Sequence, residues 1–259
     1  MKVVILCGGQ GTRIRDVADD IPKPMIKIGD KPILWHILKY YSHFDFNDFI
    51  LCLGYKREII HNFFLNYETN NRDFTIKYKG CGEIKYHNYH DEYDWRITLA
   101  NTGIDSATGA RIYKIKKYLA GEENFLLTYG DGLSNVDLHK LLKFHLQHKK
   151  ILTITGVRTA SRFGEIIHKN NLVTDFDEKP LNKNHLISGG FFVCRKEIFN
   201  YFTDEKNLSF EMQVIKNVVK DLQAVVFEHD NFWQPMDTYR EFTLLNDLYK
   251  NNNAPWVVW

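Results

Sequence analysis

The sequence predicts an α/β fold: a mixed, mainly parallel central sheet flanked by helices, with a smaller β lobe in the second half. Three observations predict it. Through about residue 157, short apolar runs alternate with amphipathic stretches at helical spacing, the pattern of strands joined by crossover helices. The first run, Val3 to Leu6, is β-branched and apolar throughout, as expected of a strand buried on both faces, and it stops on Gly8, Gly9 and Gly11. Beyond about residue 158 the alternation gives way to a hairpin pattern and further strands. With no linker, repeat or low-complexity tract, one domain over 1–259 is expected.

In chain order, the glycine loop leads to a helix over Lys31 to Tyr41, with Pro32 near its first turn. Phe49 to Leu53 is a second buried strand ended by Gly54, and Arg57 to Leu65 is an amphipathic helix. Phe74 to Lys79 and Trp95 to Leu99 read as strands. Between them His87, His90, Asp91 and Glu92 invite a metal reading, but the tract is polar and Tyr-rich and lacks a fixed scaffold, which weighs against it. Thr108 opens a helix expected to reach Tyr118. Phe125 to Thr128 is a buried strand running into Tyr129-Gly130-Asp131-Gly132, and a helix over Val136 to Gln147 precedes the strand Ile151 to Val157.

In the second half, Phe163 to Ile167 and Leu172 to Phe176 form a hairpin around Asn170-Asn171. Ser188-Gly189-Gly190 introduces the strand Phe191 to Cys194. Helices are expected near Glu197 to Phe202 and Phe210 to Val219, then a strand Ala224 to Glu228 and a last helix through Tyr249.

Composition excludes several classes. Hydrophobic content of 44% and charged content of 25% are ordinary for a globular chain, and a net charge of +2 with dispersed basic residues argues against nucleic acid. No apolar run approaches the ~18 residues of a membrane span and no signal peptide precedes the first strand, so no membrane association and a cytoplasmic location are expected. The cysteines Cys7, Cys52, Cys81 and Cys194 show no paired spacing, and Cys7 and Cys52 read as buried free thiols.

The glycine loop carries the chemistry. Glycines free the backbone to adopt positive φ and to meet a ligand closely, and converging N–H groups suit an anion. A dinucleotide fingerprint fails because Ile14 stands where its third glycine belongs, and a Walker loop fails for want of Gly-Lys-Ser/Thr. A simple strand-to-helix turn would not need the cations Arg13 and Lys23, which suit phosphates. Gly8-Gly9-Gln10-Gly11-Thr12-Arg13 followed by Lys23-Pro24-Met25 resembles the signature of sugar-1-phosphate nucleotidylyltransferases.

That chemistry is displacement at an α-phosphorus between two anions, so it needs cations, Mg²⁺ and carboxylates to hold the metal. Arg13 is a candidate for the leaving pyrophosphate, Lys23 for the α-phosphate and Lys179 for the acceptor's phosphate. Asp131, at a strand's C-terminal end between two glycines, and Asp237 are the candidate metal ligands. The catalytic set is therefore Arg13, Lys23, Asp131 and Asp237.

The resemblance sharpens along the whole chain. Gly29-Asp30-Lys31-Pro32-Ile33-Leu34-Trp35-His36, Thr128 to Gly132, Asp177-Glu178-Lys179-Pro180, Gly189 to Val193 and Trp233-Gln234-Pro235-Met236-Asp237-Thr238 are similar to the glucose-1-phosphate cytidylyltransferase family, as is the closing Ala254-Pro255-Trp256. The resemblance implies a Rossmann-like nucleotidyltransferase fold, CTP and a small phosphorylated acceptor as substrates, Mg²⁺ as cofactor and homo-oligomers. It implies a nucleotide-binding half over about 1–157 and an acceptor-binding half over about 158–259. Leu6, Gly8, Gly9, Gly11, Thr12, Arg13, Lys23, Thr128 and Gly130 would surround CTP, and Thr108, Gly109 and Arg111 match a ligand-contacting stretch. Gly164, Glu165, Glu178, Lys179, Ser188 and Gly189 would bind the acceptor.

Departures from the family pattern gather on the acceptor side. Phe-Gly-Ala-Leu-Asp becomes Phe163-Gly164-Glu165-Ile166-Ile167, Asn-Gly-Gly becomes Ser188-Gly189-Gly190, and Asp-Thr-Gly becomes Asn101-Thr102-Gly103. Glucose 1-phosphate is the default acceptor. A phosphorylated amino acid such as phosphoglutamine, as in capsule methyl phosphoramidate synthesis, is the alternative, because Glu165 could pair with an ammonium. A regulatory nucleotide-binding module would not need both carboxylates, and a glycosyltransferase of related fold would carry Asp-x-Asp where this chain has Gly130-Asp131-Gly132.

Overall fold

The fold comes from a computed structural model that describes residues 1–11, 20–80, 82–159, 165–169, 172–177 and 186–259. Seven strands make the main sheet: β1 (Lys2–Cys7), β2 (Asp48–Leu53), β3 (Arg96–Asn101), β4 (Asn124–Tyr129), β5 (Leu152–Val157), β6 (Ile187–Arg195) and β7 (Ala224–His229). Their spatial order is β7-β5-β6-β4-β1-β2-β3. The run β3-β2-β1-β4 is parallel, β6 is antiparallel to both β4 and β5, and β7 is parallel to β5. This is the mixed, mainly parallel sheet expected.

The central strands read as continuous apolar runs because each face packs against a separate core. From β1, Val3, Ile5 and Cys7 enter one core with α1 (Ile33–His43), α4 (Leu138–His148) and Trp256. Val4 and Leu6 enter the other with α3 (Thr108–Lys114), Phe125, Phe192 and Phe210. Helix α2 (Arg57–Leu65) follows β2 within the expected bounds. Cys7, Cys52 and Cys194 are buried free thiols, and burial pushes the Cys52 thiol up to about 12. Cys81 lies outside the described residues.

Three expected helices are modified, and the one near Glu197 to Phe202 is a 3₁₀ helix over Lys196–Tyr201. α3 ends at Lys114 and a 3₁₀ turn, Lys116–Leu119, returns Leu119 to the core, so the helix stops short of Tyr118. The stretch from Phe210 opens as one π-helical segment, Phe210–Ile215, before an α-helical turn Lys216–Lys220. Strand β6 is longer than expected because Ile187 and Ser188 pair with Val157 and Gly156 across a register shift. Among the described residues, the hairpin Glu165–Lys169 with Leu172–Asp177 pairs only with itself, apart from the main sheet. His87, His90, Asp91 and Glu92 sit in the loop before β3. Glu92 and Asp91 hold Lys39 of α1, and His90 bridges Glu68 and Glu92, so this loop is fastened to the helices by its charges.

The topology singles out one place. The chain moves from β1 outward to β2 and β3, and later lays β4 on the opposite side of β1. Ligands of open α/β sheets bind beyond the carboxyl ends of strands at such a reversal. Gly8 follows β1 there, and Gly130 and Asp131 follow β4.

Candidate active site

A cavity of about 360 Å³ opens at that reversal, lined by Leu6, Cys7, Gly8, Gly9, Gly11, Lys23, Pro24, the run Ser106–Thr108, Arg111, Tyr129, Gly130 and Asp131. Two of its glycines are required by the geometry. Gly11 has φ +60°, which favours glycine. Any Cβ at Gly8 would lie 2.2 Å from Arg111 Nη1, so this residue is small to admit a guanidinium from behind.

Lys23 begins a short 3₁₀ turn, Lys23–Met25, whose entry is fixed by Pro22 before it and Pro24 within it, and its side chain is buried. Its Nζ donates to Asp131 Oδ2 at 2.5 Å and to Asp237 Oδ1. Two carboxylates 106 residues apart in the chain thus meet at one cation. A short antiparallel ladder brings them there. Gly132–Ser134, directly after Asp131, pairs with Trp233–Pro235, and Met236 N–H donates to Asp131 O at 2.9 Å.

Asp237 is held from the other side by the start of α5 (Tyr239–Lys250). Glu241 Oε2 accepts from the Asp237 and Thr238 N–H groups, while Glu241 N–H donates to Thr238 Oγ1, a complete capping box. The Thr238-x-x-Glu241 spacing is a capping-box signal legible in the sequence, and it marks Glu241 as a support for Asp237.

Beneath the glycine loop, the buried Arg111 donates to the main-chain oxygens of Gly8, Leu53, Gly103 and Ile104 and to Thr102 Oγ1. Burial lowers its pKa from the usual guanidinium value, yet every one of these acceptors favours the cation. Gly54 is also needed here, because a Cβ on it would lie 2.4 Å from Arg111 Nη1. One side chain therefore ties together the segments that follow β1, β2 and β3.

The far wall rests on Glu211, a residue the sequence did not single out. Tyr129 Oη and Thr108 Oγ1 each donate to its carboxylate at 2.6 Å, and Ser209 Oγ donates at 3.0 Å. It lies in the π-helical segment, a distortion found often at functional sites. No spacing motif marks it, because its partners come from two other elements.

The structure brings together Leu6, Gly8, Gly9, Gly11, Lys23, Thr108, Arg111, Gly130 and Asp131 around the cavity, with Asp237 reaching Lys23. Thr128 is buried within the sheet, opposite Ile5 and Phe191, and Gly109 packs against the Leu208 carbonyl, so both stand outside the lining. On the acceptor side Ser188 is exposed at the start of β6, and the Gly189 carbonyl accepts from Trp233 Nε1 at 2.6 Å. Glu165 starts its hairpin strand. Thr12, Arg13, Gly164, Glu178 and Lys179 lie outside the described residues.

Comparison with known proteins bears directly on this arrangement. The family model for nucleotidyl transferases matches residues 2–244. A probable glucose-1-phosphate cytidylyltransferase of Bacillus subtilis is 41% identical over 259 residues, covering all of both chains. The glucose-1-phosphate cytidylyltransferase of Salmonella typhimurium is 38% identical over 260 residues, again covering both chains fully. Among solved structures, HddC from Yersinia pseudotuberculosis in complex with GMP-PN superposes with a TM-score of 0.68, at 22% identity, over 96% of this chain and 99% of that one. This last similarity concerns the fold.

Proposed function

The chain belongs to the nucleotidyl transferase family, with full-length glucose-1-phosphate cytidylyltransferases among its relatives, and on that premise we propose that it joins CTP to glucose 1-phosphate, giving CDP-glucose and pyrophosphate. The observation that carries the proposal is the convergence of Lys23, Asp131 and Asp237 beside the glycine loop. A phosphate oxygen of the sugar phosphate attacks the α-phosphorus of CTP, and the bond to the bridging oxygen breaks to release pyrophosphate. No protein nucleophile is needed.

The residues present fit Mg²⁺. Two hard carboxylate oxygens already converge on one cationic atom, and this ion characteristically takes one or two carboxylates and completes its shell with phosphates and water. Asp131 and Asp237 would hold it, and when bound it supplies charge neutralisation to the triphosphate. Lys23, its two carboxylate partners taken up by the metal, would then serve the transferring phosphoryl group. The Gly8–Gly11 backbone receives phosphate oxygens, Arg111 keeps that backbone in place, and Arg13 serves the leaving pyrophosphate. The acceptor meets Ser188, Gly189 and the segments carrying Gly164, Glu165, Glu178 and Lys179. The reading includes a cytoplasmic homo-oligomer of single-domain subunits.

Incubation with Mg²⁺, each of the four nucleoside triphosphates and glucose 1-phosphate tests the assignment by pyrophosphate release and isolation of the nucleotide sugar. CDP-glucose should dominate. Turnover of phosphoglutamine in preference to glucose 1-phosphate would replace the acceptor and keep cytidylyl transfer.

A further inference from the structure

Lys23 and Asp131 mark the part of the cavity suited to phosphates. The wall made by Ser106, Ala107 and Thr108 contributes no ionised side chain, which suits a nucleobase. Both hydroxyls of this wall are already engaged, and their partners fix the direction of every bond.

Ser106 Oγ lies 2.6 Å from the Thr102 carbonyl, which can only accept, so the Ser106 hydrogen is spent there. The Lys114 ammonium, which can only donate, fills one lone pair of the same oxygen at 2.9 Å. Thr108 repeats the arrangement with different partners. Its hydrogen goes to the Glu211 carboxylate at 2.6 Å, and the Phe210 N–H fills one lone pair at 3.0 Å. Glu211 cannot return a hydrogen, because Tyr129 and Ser209 also donate to it and Met212 N–H in turn donates to Ser209 Oγ. Burial and the adjacent Glu211 carboxylate raise the Tyr129 phenol well above its ordinary range, so it remains a donor.

Each hydroxyl can therefore accept one more hydrogen bond and can donate none. We propose that Ser106 and Thr108 form an acceptor-only edge that reads an amino group on the nucleobase, and that Glu211 is the positioning residue that imposes this polarity on Thr108. The 4-amino group of cytosine satisfies such an edge. The 4-oxo group of uracil would face an oxygen lone pair with no hydrogen between them, and a mismatch of this kind discriminates strongly. The proposal rests on the CTP-dependent reading above and supplies its basis for base selection.

The test measures dissociation constants and kcat/KM for CTP, UTP and the triphosphate of pyrimidin-2-one riboside, which lacks the 4-amino group. The unmodified protein should prefer CTP over both by roughly tenfold or more, the worth of one well-placed hydrogen bond. Thr108→Val should weaken CTP binding by roughly tenfold and leave UTP nearly unchanged, while Thr108→Ser restores the CTP preference. Glu211→Ala frees the Thr108 hydrogen to point at a ligand, so the CTP-to-UTP ratio should fall. A loss of general structure would weaken all three nucleotides together. Equal binding of CTP and the pyrimidin-2-one analogue, or an unchanged CTP-to-UTP ratio in both Thr108→Val and Glu211→Ala, would overturn the acceptor edge while leaving cytidylyl transfer standing. A wild-type protein indifferent to CTP and UTP would instead overturn the nucleotide assignment, and the edge with it.

Discussion

On the open side of the glycine loop, Lys23 is neutralised by two carboxylates, Asp131 and Asp237. On the buried side, Arg111 reaches only neutral acceptors, four carbonyls and a hydroxyl. A cation held by anions has partners that can be redistributed when a polyphosphate and a metal arrive, because charge is exchanged for charge. A cation held by main-chain dipoles has no such alternative and acts as a fixed brace. The same two residue types that read as phosphate binders in the sequence thus divide into a working group and a scaffold, and burial among carbonyls is what separates them.

The largest effect that would break this division lies with the carboxylates. Asp131→Asn and Asp237→Asn should each lower kcat by on the order of 10²-fold or more with thermal unfolding little changed, since each removes charge from the cation site. Near-normal turnover of either variant at saturating Mg²⁺ would remove that residue from the site. Lys23→Ala should then lower kcat by about 10²-fold and KM for CTP much less, because its charge is wanted most as the phosphorus is transferred. A matching rise in KM instead would make Lys23 a ground-state binder.

Arg111→Met should behave differently. It strips several buried carbonyls of their donor and should cost about 3–5 kcal/mol of stability, read as a fall in the denaturant midpoint, with activity lost as the loop loosens. If Arg111→Met unfolds normally and fails only in catalysis, the brace is wrong and Arg111 belongs with Lys23.

Acidification probes the buried scaffold again, at lower amplitude. His36 accepts a place between the Ile28 carbonyl and Trp256, and burial pulls its pKa down to about 4. An unfolded histidine titrates near 6.5, so between about pH 6.5 and 4 the unfolded state binds the extra proton. Stability should be full above pH 6.5 and fall by about 2–3 kcal/mol as pH drops to 4. His36→Gln should reduce that slope without abolishing it, because burial also pulls His145 down to about 4, and an unaltered slope would assign it to other groups.

The smallest effect concerns the acceptor half, where Ser188 is exposed and Glu165 lies on a hairpin detached from the main sheet. Ser188→Asn should raise kcat/KM for glucose 1-phosphate severalfold at most, and Glu165→Ala should change it little, each worth about 1 kcal/mol or less. A preference for phosphoglutamine that collapses in Glu165→Ala would show that the acceptor half has been retuned while the nucleotide half has not.

Local chemistry along the chain was enough to read the sheet, the glycine loop and the two carboxylates. Continuous apolar strands such as Val3 to Leu6 report burial on both faces directly, and glycines at 8, 9 and 11 with a following Lys-Pro-Met leave few alternative structures. Helix ends were less legible. The termination of α3 and the π-helical opening at Phe210 depend on where Leu119 and Glu211 must go in three dimensions.

Only the tertiary structure decided which polar groups face one another. Asp237 joins Asp131 because the Gly132–Ser134 and Trp233–Pro235 strands pair, an event that no local window contains. Gly8 looks like a ligand-binding glycine in the sequence, and the fold adds that its missing Cβ makes room for Arg111. Glu211 carried no signal at all, since a single acid gains its role from Tyr129 and Thr108, which stand 82 and 103 residues away in the chain. Periodicity and propensity record how each residue meets the core. The direction of a hydrogen bond and the sharing of a charge are set by the partner, and the partner is chosen by the fold.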